Sequence, residues 1–254
     1  MQLVVNVMNR EIEPTPLVDL AVIFPVYNEG IRVREAIEAA IDAGVGLVVA
    51  VNDCSTDSTG DILRSCASLR KVEVLHHDRN LGKQAAVKHG LKRALRYDEI
   101  EKFATLDADM QDDPETLGRV AAPVGCYDMA CVYRSREEMP PLRRLANFLA
   151  VAPYWFFTGV RLHDVQAGYR VYARPVARYL AENLPVAGGY TLEHTSMALF
   201  GRLAQRRQRP FRIAEVPNPC PYGQSESHIT IHDNVALTKA SVLNAYRLGR
   251  ALRS

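Results

Sequence analysis

Two aspartates one residue apart, Asp107 and Asp109, open the segment Asp107-Ala-Asp109-Met-Gln111-Asp-Asp-Pro114. On an extended chain, side chains two apart share a face, so both carboxylates can address one cation. Such hard oxygens suit magnesium or manganese, which also take phosphate oxygens and water. A cation held there neutralises charge on a departing diphosphate. The same segment also reads as a polar strand end followed by a helix start, with Asp113 as N-cap and Pro114 at the first helical position. Three more polar clusters precede it: Tyr27-Asn28-Glu29, then Asn52-Asp53-Cys54-Ser55-Thr56-Asp57, then Asn80-Leu81-Gly82-Lys83.

The elements that carry these clusters follow from hydrophobic pattern. Residues 20–26 (LAVIFPV) and 47–51 (LVVAV) are continuous apolar runs, which suit strands covered on both faces of a parallel sheet. Residues 72–75 and 102–106 predict two shorter strands. Between them, Val33, Ile37, Ala40 and Ile41, then Ile62, Leu63, Cys66 and Leu69, then Val87, Leu91, Ala94 and Leu95 recur at helical spacing. Four strands alternating with three amphipathic helices predict a doubly wound α/β sheet, whose ligands bind at the carboxyl ends of the strands. Each polar cluster trails one strand. The second half predicts strands over 129–132 and 211–216, helices over 175–184 and 192–206, and a last helix over about 233–252. Residues 143–160 form a basic, then apolar segment.

The ordered set Phe24-Pro25-Val26-Tyr27-Asn28-Glu29, Asn52 to Asp57, Asn80-Leu81-Gly82-Lys83-Gln84-Ala85-Ala86 and the Asp107 segment resembles glycosyltransferase family 2. The resemblance covers about residues 18–216. It implies a GT-A fold, with a Rossmann-like, mainly parallel sheet flanked by helices and a C-terminal helix. It also implies an inverting transfer in which a nucleophile displaces a nucleoside diphosphate, GDP or UDP, from a sugar. Carried over by position, Pro25, Tyr27 and Glu29 resemble the nucleoside wall, with Glu29 on the ribose, and Asp53 resembles the reader of the base edge. Lys83 takes the place of a cation near base and phosphates. Asp107 resembles a ribose or metal contact, Asp109 the principal metal ligand and Gln111 a further oxygen ligand. Asn52 departs from the family, in which many members carry an acid.

Within that family, DADMQDDPE, Asp164-Val-Gln-Ala-Gly168-Tyr169-Arg170 and Tyr222-Gly223-Gln224-Ser225 look most like the polyprenyl-phosphate (dolichyl-phosphate) sugar synthases. The resemblance implies a lipid-phosphate acceptor, with Gly168 and Arg170 on its side of the site. Arg136, Arg143 and Arg144 then make sense as a phosphate clamp, because guanidinium forks match phosphate oxygens. The apolar run 145–160, with Trp155, Phe156 and Phe157, would rest in a membrane interface; the alternative is an ordinary core helix. The loop around Gly223 departs from the family, which places an arginine before the glycine and a lysine after the serine; here Tyr222 precedes Gly223 and Glu226 follows Ser225. A phosphate acceptor is already ionised, its second pKa being about 6, whereas a hydroxyl acceptor needs a positioned base. Glu193 is the candidate base, and its alternative role is a first-turn glutamate favoured by the helix dipole. His76, His77, His89, His163 and His232 show no ligand spacing.

A length of 254 residues and a formal charge of +2 exclude no enzyme class, but the charge is too small to announce a nucleic-acid partner. Five cysteines with no paired spacing predict neither a zinc site nor a disulfide framework. No basic region followed by a long apolar stretch opens the sequence, so no signal peptide is expected. The expected location is cytoplasmic, including a peripheral place on the cytoplasmic face of the membrane. The expected organisation is an extension over 1–17, a glycosyltransferase domain over 18–217 (donor half about 18–115, acceptor half about 116–217), and a loop with an amphipathic helix over 218–254. A soluble hydroxyl acceptor, such as a glycan or natural-product intermediate, is the alternative acceptor. A nucleotidyltransferase is less favoured, because Glu29 stands where that class places a basic, glycine-rich loop. A non-catalytic sugar-nucleotide binder is disfavoured by the presence of Asp107, Asp109 and Gln111.

Overall fold

A computed structural model describes residues 3–8, 12–110, 113–133, 141–186, 192–217 and 231–253. The elements begin with β1 (Leu3–Val7), β2 (Leu20–Val26), α1 (Arg32–Asp42), β3 (Leu47–Asn52), α2 (Thr59–Cys66) and β4 (Val72–His76). They continue with α3 (Lys83–Ala94), β5 (Lys102–Thr105), α4 (Leu117–Ala121), β6 (Met129–Tyr133) and α5 (Pro141–Thr158). The last are β7 (Arg170–Ala173), α6 (Arg174–Asn183), α7 (Leu192–Arg207), β8 (Phe211–Pro217) and α8 (Ile231–Arg253). The described residues fall into two compact units interleaved in sequence. The larger holds 12–130 and 168–186 less the gap at 111–112; the smaller holds 3–8, 131–133, 141–167, 192–217 and 231–253. Residues 3–8 and 231–253 thus group with the smaller unit and 12–17 with the larger.

In the larger unit the strand order is β7-β5-β2-β3-β4. β2 pairs in parallel with β3 and β5, β3 pairs in parallel with β4, and β7 runs antiparallel to β5. All six residues of β3 are buried, as are six of the seven in β2, which is why both are apolar apart from Asn52 at the end of β3. Parallel register aligns the strand ends, with Val26 opposite Asn52 and Asn52 opposite His76. The polar residues after β2, β3, β4 and β5 therefore collect on one rim. β7 was not expected from the sequence, because Arg170-Val-Tyr-Ala is too short and too mixed to show a period. Its hydrogen bonds to β5 hold it in place.

α3 packs on β2 and β3 and carries Lys83 at its first position. Gly90 makes that close packing possible: a Cβ there would lie 2.5 Å from Ile23 Cγ2 and 3.3 Å from Val51 Cγ2. Gly90→Ala is expected to destabilise the protein by about 1–3 kcal/mol through overpacking, measured by urea denaturation. An unchanged midpoint would show that α3 moves off the sheet freely. Arg174 anchors the other end of α3. Its guanidinium donates to Leu95 O at 3.1 Å and Tyr97 O at 2.9 Å, and it also bonds Ile100 O and Asp98. A cation on these late carbonyls satisfies acceptors that the helix itself leaves open.

In the smaller unit, β1 and β8 pair in parallel, so the expected extension contributes a strand. α8 packs on α5 and α7, and Gly249 lets it approach the Phe157 carbonyl, which a Cβ would meet at 2.6 Å. α5 has two faces. Ala150, Val151 and Tyr154 are buried, while Leu145, Phe148, Leu149, Trp155 and Phe156 are exposed, Phe156 to 78 %. Among the described residues no helix is long and apolar enough to cross a membrane.

Candidate active site

Hydrogen bonds tie each polar cluster on the rim to the next. After β2 the chain turns at Asn28, whose φ of 56° is left-handed and is tolerated best by Asn among non-glycine residues. Asn28 N donates to Ser55 Oγ at 3.0 Å, and Thr56 N donates to Asn28 Oδ1 at 2.8 Å. Gly30 N donates to Thr59 Oγ1 at 2.8 Å. These bonds fasten the first loop to the second. Tyr27 is exposed beside them, and Pro25 and Glu29 are half-buried, with Arg32 at 3.5 Å from Glu29 Oε2.

The second loop is fastened to the third through Asp53, which is only 3 % exposed. Its Oδ1 accepts from Leu81 N at 2.8 Å and lies 2.7 Å from His77 Nδ1; its Oδ2 accepts from Gly82 N at 2.6 Å. Gly82 has φ 88° and ψ 159°, a region essentially reserved for glycine. Asn52 is also engaged, because its Oδ1 accepts from Ser55 N at 3.0 Å and its Nδ2 lies 3.1 Å from His76 Nδ1. For Asp57, burial pushes the carboxyl up, but bonds from Thr59 and from the Asp57 and Gly30 amides outweigh it and hold the group below its ordinary value.

The third loop meets the fourth through charge. Lys83 Nζ lies 2.8 Å from Asp107 Oδ1 and 2.9 Å from Oδ2. Ala108 is buried between the half-buried Asp107 and Asp109, and Met110 turns the chain with φ 62°. The expected cap follows, with Glu115 N donating to Asp113 Oδ1 at 2.9 Å and Pro114 opening a 3-10 turn. Pro25, Tyr27, Glu29, Asp53, Lys83, Asp107 and Asp109 thus all belong to the larger unit and to its rim. Gly168 and Arg170 belong to the same unit: Gly168 O accepts from Thr105 Oγ1 at 3.1 Å, and Arg170 is buried in β7.

Glu193 and Arg144 belong to the smaller unit, Glu193 buried in the first turn of α7 and Arg144 exposed on α5. Arg143 also lies in α5. Gln111, Arg136 and the 222–226 loop lie outside the described residues. Sequence reasoning missed the histidines, which have no metal-ligand spacing. For His76 and His77 the signal was their place at the end of β4, beside Asn52 and Asp53 in register.

A mainly parallel, open α/β sheet with these four clusters on its rim is the GT-A arrangement, and the protein is a glycosyltransferase. Solved structures share the fold. A glucosyl-3-phosphoglycerate synthase from Mycobacterium tuberculosis, crystallised with Mn2+, UDP and phosphoglyceric acid, matches with a TM-score of 0.64 at 16% identity over 96% of this chain and 86% of that one. The model of Glycosyl transferase family 2 matches residues 21–178, and the chain belongs to that family. An undecaprenyl-phosphate 4-deoxy-4-formamido-L-arabinose transferase of Pseudomonas aeruginosa is 30% identical over 172 residues, 65% of this chain and 50% of the relative. The chain therefore matches about half the length of that transferase. An uncharacterized protein of Methanocaldococcus jannaschii is 29% identical over 69% of this chain and 73% of its own length.

Proposed function

We propose that the protein moves a hexosyl group, with inversion, from a nucleoside diphosphate sugar (UDP or GDP) to a polyprenyl phosphate. The observation that carries the donor half is the bonded rim, in which Lys83, Asp107 and Asp109 are gathered beside the nucleoside wall of Pro25, Tyr27 and Glu29. Two carboxylates fit a hard divalent cation, Mg2+ or Mn2+. Among the described residues no group of three His, Cys, Asp or Glu side chains could hold a metal. Such a pair suits a cation that shares its shell with phosphate oxygens and water. Asp107 and Asp109 would hold the cation with Gln111, and when bound it neutralises charge on the departing diphosphate. Lys83 adds a positive charge beside Asp107, Glu29 meets the ribose and Asp53 lies at the base end.

The acceptor half is supported by the undecaprenyl-phosphate relatives and by α5. A lipid phosphate arrives ionised and needs no base. Arg136, Arg143 and Arg144 supply guanidinium groups for it, with Gly168 and Arg170 on the acceptor side. The exposed Leu145, Phe148, Leu149, Trp155 and Phe156 beside Arg144 and Arg161 suit a peripheral seat on an anionic membrane. With a hydroxyl acceptor, Glu193 would act as the base.

A partition assay tests both halves. With labelled UDP- or GDP-hexose, Mn2+ and undecaprenyl phosphate, label is expected to enter the organic phase, and EDTA is expected to stop it. Label transferred only to water-soluble hydroxyl acceptors would overturn the lipid acceptor and keep the transferase.

A further inference from the structure

Two histidines that the donor chemistry does not use, His77 and His89, extend from Asp53 on the rim. His77 Nδ1 lies 2.7 Å from Asp53 Oδ1, and His77 Nε2 lies 2.8 Å from His89 Nδ1. The His77 side chain is buried, and the two rings meet edge to face with centroids 4.9 Å apart. His89 projects from α3, one residue before Gly90, where the helix touches the sheet.

The proton that faces Asp53 follows from chemistry. An ionised carboxylate only accepts, so His77 carries its proton on Nδ1 toward Asp53. The 2.8 Å contact between His77 Nε2 and His89 Nδ1 holds one proton, so one of the two nitrogens donates and the other accepts. Burial holds His89 below the ordinary imidazole value, with His77, Lys92 and Lys88 pushing the same way and Asp53 opposing, which favours a neutral ring. His89 thereby holds the far nitrogen of His77, and His77 orients the carboxylate of Asp53. The other partners of that carboxylate are the amides of Leu81 and Gly82, the two residues immediately before Lys83.

We infer that His77 and His89 are positioning residues of the donor site: through Asp53 they lock the Leu81–Gly82 turn and so aim Lys83 at Asp107. This inference rests on the proposed donor site. The hydrogen bonds of the two histidine rings run to Asp53 and to each other, not to Lys83 or Asp107. Their effect passes through one carboxylate and two backbone amides.

The test uses the full chain and the variants His77→Ala, His77→Asn and His89→Ala. Amide exchange at Leu81 and Gly82, followed without nucleotide, is expected to speed up about tenfold in His77→Ala while other sheet amides keep their rates. His77→Asn keeps an N–H donor toward Asp53 and is expected to restore slow exchange. Binding of UDP or GDP with Mn2+ is expected to weaken about tenfold in His77→Ala. His89→Ala is expected to fall between wild type and His77→Ala, because His77 keeps its contact with Asp53 and loses only the one at Nε2. Unchanged exchange at Leu81 and Gly82 in His77→Ala overturns the inference, whatever nucleotide binding does. Faster exchange with unchanged nucleotide affinity also overturns it, since the turn would then not serve the donor. A wild-type chain that binds neither UDP nor GDP sinks the donor-site proposal instead, and the exchange rates still decide whether the histidines hold the turn. A general loss of protection across the sheet in His77→Ala, unrescued by His77→Asn, would mark a merely structural role.

Discussion

Asp109→Asn is expected to lower the transfer rate about a thousandfold and to remove the manganese dependence of nucleotide binding. The substitution keeps the size of the side chain and one of its acceptors, but removes the charge a divalent cation needs from this position. Asp107 would then be the one carboxylate of the proposed ligand set, while still sharing its charge with Lys83 at 2.8 Å. The loss falls on the departing diphosphate, where removal of a charge-stabilising group commonly costs 10²–10³ in kcat. Asp109 is half-buried at a turn rather than in the core. Stability is therefore expected to change by less than about 0.5 kcal/mol, as for surface positions. Steady-state rates across a manganese titration make the check. An Asp109→Asn variant with the wild-type rate and the wild-type metal curve would remove the cation from this carboxylate pair.

Asp53→Ala is expected to destabilise the protein by about 3 kcal/mol. Its carboxylate is buried and bonds the Leu81 and Gly82 amides and His77. Leaving a buried donor without an acceptor costs about 1–3 kcal/mol, and here several are stranded together. For a chain of this size that corresponds to a fall of about 6–12 °C in the melting temperature. Asp53→Asn separates two roles for the residue. An amide in place of the carboxylate would turn an NH2 group toward the Gly82 N–H, now 2.6 Å from Oδ2, so a loop-holding Asp53 predicts nearly the full loss of stability. A residue that only reads the base edge predicts unchanged melting and an altered choice between UDP and GDP. Melting curves of both variants, with and without nucleotide, distinguish these outcomes.

Much of the larger unit was legible because its signals are local. Strands covered on both faces must be apolar throughout, and 20–26 and 47–51 are. The helices between them repeat their apolar residues every three or four positions. Parallel strands joined by helices put all their carboxyl ends on one side, so the clusters at Tyr27, Asn52, Asn80 and Asp107 were bound to share a rim. The Asp113 cap and the Pro114 start were legible for the same reason, since a cap is made within three residues.

The rest depended on partners far apart in the chain. β1 joins β8 across some two hundred residues, and β7 enters the sheet antiparallel to β5; neither segment has a period strong enough to announce it. The histidines looked inert because metal spacing was the only pattern under which they carried meaning. Their partners are Asp53, 24 residues before His77, and each other, 12 residues apart. The sequence by itself determined which apolar runs of the larger unit are buried, in what order β2 to β5 and the helices between them follow, and that the acids and Lys83 lie at strand ends, because burial and periodicity are properties of neighbouring residues. Only the tertiary structure decided which polar atom satisfies which: Asp53 with the Leu81 and Gly82 amides, Lys83 with Asp107, His77 with His89. Those pairings depend on the register between strands and on how close α3 lies to the sheet, and packing of the whole unit sets both.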